Sequence, residues 1–407
     1  MKPIAKKTSL SFPKSRSLVE YHPLGTVLVV SPWNFPFQLS LVPICTALLA
    51  GNVVLLKASE TTLAIGELIQ SLLAQAGLPE NVFTALPGDG KIGQKMIEEK
   101  PDLIFVTGSS ATGQKIMEQA SKNLIPVHLE LGGKDPMLVF EDTPFERAVN
   151  AAVYGAFANA GQICVSVERL YVHENIEDKF TKAILHKTSQ VRMGLSNDSD
   201  VGMMTTKRQV DVIKKQIEDA EKKGAVLLTP LRFEGNWVSP IVINKVTHDM
   251  LLMREETFGP VLPIMSFSSE EEAIKLANDS PFGLNASVWT KDLKKGRRIA
   301  SQIQAGNCAV NDVVKNIGNP HLPFGGIKRS GFGRYHGKEG LRAFSRSMSI
   351  MINKGTAKRE LNWFPYSSKL YKDLKIYLQF SYLKKNSLAA LRNIWGTMKA
   401  YRKGQDD

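Results

Sequence analysis

Residues Gly25 to Lys57 read GTVLVVSPWNFPFQLSLVPICTALLAGNVVLLK. The apolar runs at Gly25–Ser31 and Asn52–Lys57 are strand-like, and Trp33–Leu49 between them has helical spacing. A strand, a helix and a second strand in this order form a βαβ unit, whose strands lie parallel in one sheet. The stretch therefore predicts an α/β protein with a doubly wound parallel sheet.

The alternation of strands and helices continues along the chain. The further predicted segments are a helix at Thr61–Ala76, a strand at Phe83–Pro87, a turn at Gly88–Gly90, a strand at Leu103–Gly108 and a helix at Gln114–Ala120. A second unit of similar type is predicted from about Pro136 to Arg334, with helices at Ala148–Ala160 and Gln209–Lys223 and a strand at Arg169–His173. Ligands of such sheets bind at the carboxyl ends of the strands, so cofactor contacts are expected in the turns that follow them.

The composition is ordinary for a soluble enzyme, with 407 residues of which 43% are hydrophobic and 22% charged. Three scattered cysteines are too few for a disulfide framework, which indicates a reducing compartment and predicts a cytoplasmic protein. No apolar run is long enough to cross a membrane, and the N-terminus lacks the apolar core of a signal peptide. The formal net charge is +13, and residues 355–407 contribute +7 of it through eleven Lys or Arg and four Asp or Glu.

Three short segments supply a carboxylate, a thiol and a side-chain amide. They are His128–Lys134 (HLELGGK), Gly161–Ser166 (GQICVS) and Pro32–Pro36 (PWNFP). Together they resemble the aldehyde dehydrogenase superfamily, and the resemblance runs from about Ser11 to Ile352. It continues through Phe105–Ser109, Glu255–Pro260 and Pro323–Gly326.

The resemblance implies an α/β fold with two doubly wound parallel-sheet domains and a β-hairpin oligomerisation arm. The implied parts are a first arm segment at 1–20, an NAD-binding domain at 21–133, a catalytic domain at 134–335, a second arm segment at 336–354 and a basic amphipathic tail at 355–407. Because the arm mediates oligomerisation in the family, a homodimer or homotetramer is expected.

The reaction of this family explains why these residue types are needed. The electron-poor carbonyl carbon of an aldehyde does not readily release hydride, whereas the tetrahedral thiohemiacetal formed by an added thiolate can expel it to a nicotinamide. By resemblance, Cys164 is the nucleophile, Asn34 donates its amide to the oxyanion, and Glu130 activates the water that hydrolyses the thioester. A carboxylate at this position favours hydrolysis over transfer to coenzyme A. Leu129 and Leu131 flank Glu130, and apolar walls would raise its pKa.

The expected cofactor is NAD, with NADP as the alternative. Lys57 and Glu60 match the family's pair at the adenine ribose, and a carboxylate there would repel a 2′-phosphate. Gly108 and Ser109 stand where a strand meets a helix, so backbone N–H groups can approach the pyrophosphate. The other contacts that the resemblance implies are Val30, Ser31, Pro32, Trp33, Gly88 and Leu131, with Glu256 and Phe258 holding the nicotinamide ribose and ring. The histidines and cysteines show no metal-ligand spacing, so no metal site is predicted.

Both ends of the chain depart from the family pattern. Members carry an additional N-terminal helical segment, so the NAD-binding domain is expected to be shortened at its N-terminus. Within 355–407, apolar residues recur at three- and four-residue steps among basic ones, namely Leu370, Leu374, Leu378, Leu388, Leu391, Trp395 and Met398. This pattern predicts peripheral contact with the inner face of an anionic membrane, a cap on the substrate tunnel, or docking on the enzyme or a neighbouring subunit.

The sequence-based function is NAD(P)-dependent oxidation of a small-molecule aldehyde to the acid. Residues Asn159–Arg169 and Arg334–Gly337 look like the branch that contains succinate-semialdehyde dehydrogenases, and the rival substrate is a medium or long aliphatic aldehyde delivered from a membrane. Two other classes stay open: a catalytically silent dinucleotide-binding or structural protein, and a peripheral binder of membranes or nucleic acid through the tail. The set of Asn34, Glu130 and Cys164 favours the enzyme, and no nucleic-acid partner is expected.

Overall fold

The structure, a computed structural model, describes residues 2–8, 12, 15–360, 363–383, 395, 396, 399 and 403. The chain forms two compact units, one from Tyr21 to Ser347 and one made of Lys2–Glu20 and Met348–Asp407. The domain boundaries expected within these units stay predictions. Within the described residues, no helix is both long and apolar enough to cross a membrane.

Within residues 15–360, the first sheet of the larger unit has six strands. In spatial order they are Gly331–Phe332, Val127–Glu130, Leu103–Thr107, Thr26–Val30, Val53–Lys57 and Phe83–Ala85. The Gly331–Phe332 strand is antiparallel to its neighbour and the others are parallel. The helices that connect the strands are Pro36–Leu49, Leu63–Gln75, Gly90–Glu98 and Ser110–Ser121. The predicted βαβ pattern of the first half is confirmed.

Helices cover both faces of this sheet because successive strand residues point to opposite sides. Val27 and Val29 pack in one apolar cluster with Ile44 of the first helix. Leu28, between them, packs in a second cluster with Met96 of the Gly90–Glu98 helix. The uninterrupted apolar run is therefore buried on both faces, as a doubly wound sheet requires.

The second sheet has seven strands in the same described range. In spatial order they are Val226–Leu227, Ile241–Asn244, Val261–Phe267, Val167–His173, Asp135–Val139, Ser287–Trp289 and Ala309–Val310. The Val226–Leu227 strand is antiparallel to its neighbour and the others are parallel. The helices of this half are Phe145–Phe157, Glu177–Ser189, Lys207–Lys222, Leu251–Arg254, Glu270–Asn278 and Leu293–Ala300, whereas the Gly337–Ala343 helix packs against the Pro36–Leu49 helix of the first half. Short strand pairs form at Phe233–Glu234 with Trp237–Val238, and at Phe282–Gly283 with Ile327–Lys328.

The smaller unit is built around strands from both ends of the chain. Their order is Ile4–Lys6, Ser15–Pro23 and Ser345–Asn353, so the predicted arm contains three strands among the described residues. A helix follows at Ser368–Leu383, on which Leu370 is buried. Burial of this leucine agrees with docking of the helix rather than with full exposure of its apolar side. Leu388, Leu391 and Met398 of the predicted amphipathic pattern lie outside the described residues.

Candidate active site

Cys164 lies between the Phe145–Phe157 helix and the Val167–His173 strand. The preceding turn depends on Gly161, which has a φ of 71°. A Cβ at this position would clash with the backbone of Gly259, so no other residue fits without a shift of the chain. The glycine of the GQICVS motif therefore sets the path that presents the thiol.

The thiol of Cys164 is half-buried in an acidic environment. Burial raises its pKa, and the carboxyl groups of Asp135, Glu256 and Glu130 raise it further. At neutral pH the thiol is therefore protonated. Reaction as a nucleophile requires a base that removes the proton or a positive charge that stabilises the thiolate.

Asn34 lies in the turn after the Thr26–Val30 strand, at the carboxyl end of that strand. Its Nδ2 donates a hydrogen bond to the carbonyl oxygen of Gln162 over 3.0 Å. The side chain of Asn159 in turn donates to the carbonyl oxygen of Asn34 over 3.3 Å. These bonds fix the amide of Asn34 beside the segment that carries Cys164, where an N–H donor can stabilise an oxyanion.

Glu130 ends the Val127–Glu130 strand and is only 5% exposed. Among the described residues, neither of its carboxyl oxygens has a hydrogen-bond partner. Burial raises the pKa of Glu130 well above its usual range, and the charge of Arg334 acts in the opposite direction. The direction agrees with the rise expected from the flanking leucines, and a buried carboxyl group with a raised pKa suits proton transfer.

A groove of about 750 Å³ connects these groups with the turns at the carboxyl ends of the first sheet. This volume is within the range of sites for small molecules and cofactors. The residues expected from sequence that line it are Asn34, Glu130 and Cys164, with Val30, Ser31, Pro32, Trp33, Lys57, Glu60, Gly108, Ser109, Leu131, Glu256 and Phe258. Gly88 does not line the groove; a Cβ there would meet Ile92, so this glycine shapes the turn before the Gly90–Glu98 helix.

One part of the groove has features that suit the adenosine and pyrophosphate of a dinucleotide. The Nζ of Lys57 and the Oε2 of Glu60 are 2.9 Å apart. A backbone hydrogen bond and the Lys57 ammonium lower the pKa of Glu60, so it is ionised. Ser109 caps the Ser110–Ser121 helix, its Oγ accepting the N–H of Thr112 over 3.2 Å. The N-terminus of a helix favours an anion such as a pyrophosphate.

Another part of the groove is formed by the loop after the Leu251–Arg254 helix. The rings of Phe258 and Trp33 meet edge to face, with centroids 5.6 Å apart. The Oε1 of Glu256 accepts the backbone N–H of Gly133 over 3.0 Å. Burial raises the pKa of Glu256 to about 8. This loop thus presents an aromatic ring and a carboxyl group on the same side as Cys164.

The groove also contains residues to which the sequence did not point. Thr206, Arg208, Gln209 and Val212 lie at the start of the Lys207–Lys222 helix, and all four line the groove. In the sequence this segment is only a polar amphipathic helix, with no motif. Its place in the site follows from how the helix packs, which the sequence pattern does not determine. Among the described residues, no group of three His, Cys, Asp or Glu side chains could hold a metal ion.

The comparison with protein families decides the class of this site. The profile described as "Aldehyde dehydrogenase family" matches residues 2–350. The chain belongs to the aldehyde dehydrogenase family. The resemblance noted from the motifs is thereby confirmed, and so is the assignment of this family member as an oxidoreductase of the aldehyde dehydrogenase class.

Curated relatives of this aldehyde dehydrogenase carry different substrate names. A 4,4'-diapolycopene aldehyde oxidase from Methylomonas sp is 49% identical over 392 residues, which cover 96% of this chain and 74% of that protein. A putative succinate-semialdehyde dehydrogenase (NADP+) from Mycolicibacterium smegmatis is 37% identical over 346 residues, covering 83% and 67%. Because the match to the diapolycopene aldehyde oxidase covers 96% of this chain, it must include most of residues 355–407. The match to the family profile, in contrast, ends at residue 350.

Solved structures confirm the predicted fold class. An NAD-dependent aldehyde dehydrogenase from Sinorhizobium meliloti has a TM-score of 0.84 at 34% identity, covering 89% of this chain and 73% of that one. A betaine aldehyde dehydrogenase from Staphylococcus aureus, in complex with NAD+, has a TM-score of 0.83 at 32% identity with the same coverage.

Proposed function

We propose that this aldehyde dehydrogenase oxidises its substrate to the carboxylic acid through a covalent thioester at Cys164, with NAD as the hydride acceptor. The proposal rests above all on one observation, that Cys164, Asn34 and Glu130 line the same groove. The three residues belong to separate segments of the chain. Their convergence therefore requires the fold and does not follow from proximity in sequence.

Cys164 is the proposed nucleophile. Its sulfur bonds to the carbonyl carbon, and the thiol proton leaves to solvent. The Nδ2 of Asn34 and the backbone N–H of Cys164 donate hydrogen bonds to the oxyanion that forms. NAD, when bound, supplies the acceptor for the hydride that leaves this carbon. The carbon is then a thioester.

Glu130 has the central role in the second half of the proposed reaction. Once its proton has left to solvent, the carboxylate removes a proton from a water molecule, whose oxygen adds to the acyl carbon. The carbon–sulfur bond breaks, the acid is released, and the thiol of Cys164 is restored. Burial of Glu130 without hydrogen-bond partners among the described residues supports this role, because the proton-accepting oxygens are not otherwise engaged.

The groove residues fit a dinucleotide, and Glu60 supports NAD over NADP. Its carboxylate can accept hydrogen bonds from ribose hydroxyls but would repel a 2′-phosphate, although Lys57 at 2.9 Å offsets part of that repulsion. The S. meliloti and S. aureus neighbours are described with NAD, whereas the M. smegmatis relative is described with NADP. Comparing kcat/KM for the two nucleotides tests this preference.

The proposed substrate class is a long apolar aldehyde. The likeness to the 4,4'-diapolycopene aldehyde oxidase is stronger than that to the succinate-semialdehyde dehydrogenase and includes most of residues 355–407. Succinate semialdehyde is the second candidate, supported by the M. smegmatis relative. The two classes differ in charge, so a substrate that gives a dicarboxylic product would need a cation near the tunnel mouth, at the end remote from Cys164.

We also propose that the chain is cytoplasmic and that its smaller unit contacts the inner surface of an anionic membrane, from which an apolar aldehyde would be drawn. Trp363, Phe364 and Tyr371 are more than half exposed. Lys372 and Lys375 follow Tyr371 on the same helix and are exposed. Exposed aromatic rings among lysines suit the interface of a membrane with anionic lipids. Salt-sensitive binding to anionic vesicles, lost on removal of residues 355–407, is the expected result.

By analogy with the arm of the family, we further propose a homodimer or homotetramer. Light scattering coupled to gel filtration tests this state.

The decisive experiment measures NADH formation by the full chain with a graded aliphatic series, a polyene aldehyde and succinate semialdehyde. Cys164→Ala should abolish turnover, and Cys45→Ala is the matched control, because Cys45 is a free cysteine that does not line the groove. Turnover that survives Cys164→Ala contradicts the covalent mechanism. A folded wild-type chain that binds NAD without turnover of any aldehyde supports the catalytically silent alternative.

A further inference from the structure

A buried ion pair lies behind the groove. The Nζ of Lys134 is 2.7 Å from the Oε2 of Glu168, and the two side chains are 0% and 4% exposed. Lys134 directly precedes the Asp135–Val139 strand, and Glu168 lies in the neighbouring Val167–His173 strand. Removing two charges from water is costly, so such a pair persists only when further hydrogen bonds satisfy both groups.

The further hydrogen bonds of Glu168 all reach one loop. Its Oε2 accepts the backbone N–H of Thr257 and its Oε1 accepts the backbone N–H of Phe258, each over 2.8 Å. Lys134 also donates to the Oγ1 of Thr257 over 2.9 Å. The same hydroxyl donates to the side chain of Gln216 over 2.7 Å. Both oxygens of the carboxylate are thus used to hold consecutive backbone amides.

The loop needs this support because its backbone is strained. Phe258 has a φ of 47°, in the left-handed region that non-glycine residues rarely occupy. In this conformation the Phe258 ring meets Trp33, and Glu256 accepts the N–H of Gly133. All of these except Gly133 line the groove. A strained segment persists only when its surroundings hold it in place, and the carboxylate of Glu168 supplies two of the bonds that do so.

We propose that Glu168, held in place by Lys134, is a positioning residue that fixes the 256–258 loop and thereby the end of the groove that receives the nicotinamide half of the cofactor. This inference rests on the proposed use of a dinucleotide. The adenosine end is held separately, because Lys57 pairs with Glu60 and belongs to the other sheet.

Glu168→Gln tests the inference while keeping the size of the side chain. The amide has one acceptor oxygen, and its NH₂ group would face either a backbone N–H or the Lys134 ammonium, both of which are donors. Loss of one charge-assisted hydrogen bond typically weakens binding about 10- to 100-fold. We expect a loss of that size in NADH affinity, measured by NADH fluorescence, and no change in the affinity for ADP-ribose, which lacks the nicotinamide.

The affinities for NADH and ADP-ribose together distinguish a positioning role of Glu168 at the nicotinamide end from a general loss of structure. A purely structural role for Glu168 would weaken NADH and ADP-ribose alike, and equal affinities of wild type and variant for NADH would also overturn the inference. Asp200→Asn, which breaks the exposed ion pair with Arg192, is the matched control and should leave both affinities unchanged. If the wild-type chain binds no NADH, the proposed function fails, and this result is distinct from an effect confined to the variant.

A second variant covers the case in which Glu168→Gln does not fold. Thr257→Val keeps the ion pair and the shape of the side chain but removes the hydroxyl that links Lys134 with Gln216. It should lower the NADH affinity by a smaller factor, again without an effect on ADP-ribose. Unchanged NADH affinity in this variant contradicts the proposed support of the loop.

Discussion

Replacing Glu130 by glutamine should stop the reaction at the thioester. Glutamine has nearly the same size, so it fills the same buried space, but its amide cannot take a proton from water. Because neither carboxyl oxygen of Glu130 has a hydrogen-bond partner among the described residues, the substitution breaks no hydrogen bond seen in the structure. The first half of the reaction should therefore proceed, and the hydrolysis of the acyl-enzyme should become the slow step.

The size of the effect follows from what general bases contribute. A positioned base accelerates a step by about 10²- to 10⁴-fold. At room temperature this corresponds to about 3 to 5 kcal/mol of activation free energy. We therefore expect the hydrolysis rate of Glu130→Gln to fall by that factor, and the steady-state rate to fall with it once hydrolysis limits turnover.

Rapid mixing of enzyme, NAD and aldehyde with detection of NADH fluorescence is the assay. Glu130→Gln should produce a burst of one NADH per active site followed by slow turnover, and the acylated chain should be visible by mass spectrometry. Glu221→Gln, the same substitution at an exposed position on the Lys207–Lys222 helix, should behave as wild type. A Glu130→Gln enzyme that turns over at the wild-type rate, with no acyl-enzyme, would refute the assignment of Glu130 as the base.

The same variant gives a stability test with a defined sign. Burial raises the folded-state pKa of Glu130 above its unfolded value, so the protonated form is favoured in the folded chain. The contribution of Glu130 to the free energy of unfolding is fully present below the unfolded pKa of about 4.3. It is lost as pH rises towards the folded pKa, by about 1.4 kcal/mol for each pH unit between the two pKa values. Glutamine does not titrate, so the Tm of Glu130→Gln relative to wild type should increase with pH between these limits. A difference in Tm that does not vary with pH contradicts burial of an ionisable group here.

Three further predictions concern the rest of the groove. Asn34→Ala should slow hydride transfer by about 10²- to 10³-fold through loss of an oxyanion donor, measured from the NADH burst rate, and a normal burst rate would contradict that role. Addition of NAD should speed alkylation of Cys164 by iodoacetamide, because the positive nicotinamide ring opposes the carboxyl groups that raise the pKa of the thiol; equal rates with and without NAD would count against this. Glu60→Gln should narrow the preference for NAD over NADP by removing a negative charge, and an unchanged ratio of kcat/KM values would show that Glu60 does not discriminate.

Much of the fold is predictable from local pattern. The sequence from Gly25 to Lys57 predicts two strands and a helix between them. In the structure this helix spans Pro36–Leu49 and contains Pro43. The helix begins later than the predicted Trp33 because residues 33–35 form the turn that carries Asn34. In the same sheet domain, the helix predicted at Gln114–Ala120 begins earlier than predicted, at Ser110, because Ser109 caps its N-terminus.

The smaller unit was less predictable because it joins the two ends of the chain. Strands near residue 20 and near residue 350 are neighbours in one sheet, and no local pattern encodes that pairing. Similarly, the apolar residues at three- and four-residue spacing in 355–407 predicted an amphipathic segment. The spacing did not indicate which of these side chains are buried. The structure shows that Leu370 is covered while Tyr371 is 69% exposed.

The sequence by itself determined the alternation of strands and helices, and its motifs picked out Cys164, Glu130 and Asn34, because these depend on neighbours within a few residues. Only the tertiary structure decided the electrostatic environment of each group. Glu168 bonds to Thr257 from 89 positions away, and Glu256 meets Gly133 from 123 positions away. Burial, pKa and hydrogen-bond satisfaction depend on such distant contacts, and these exist only once both sheets have formed and packed.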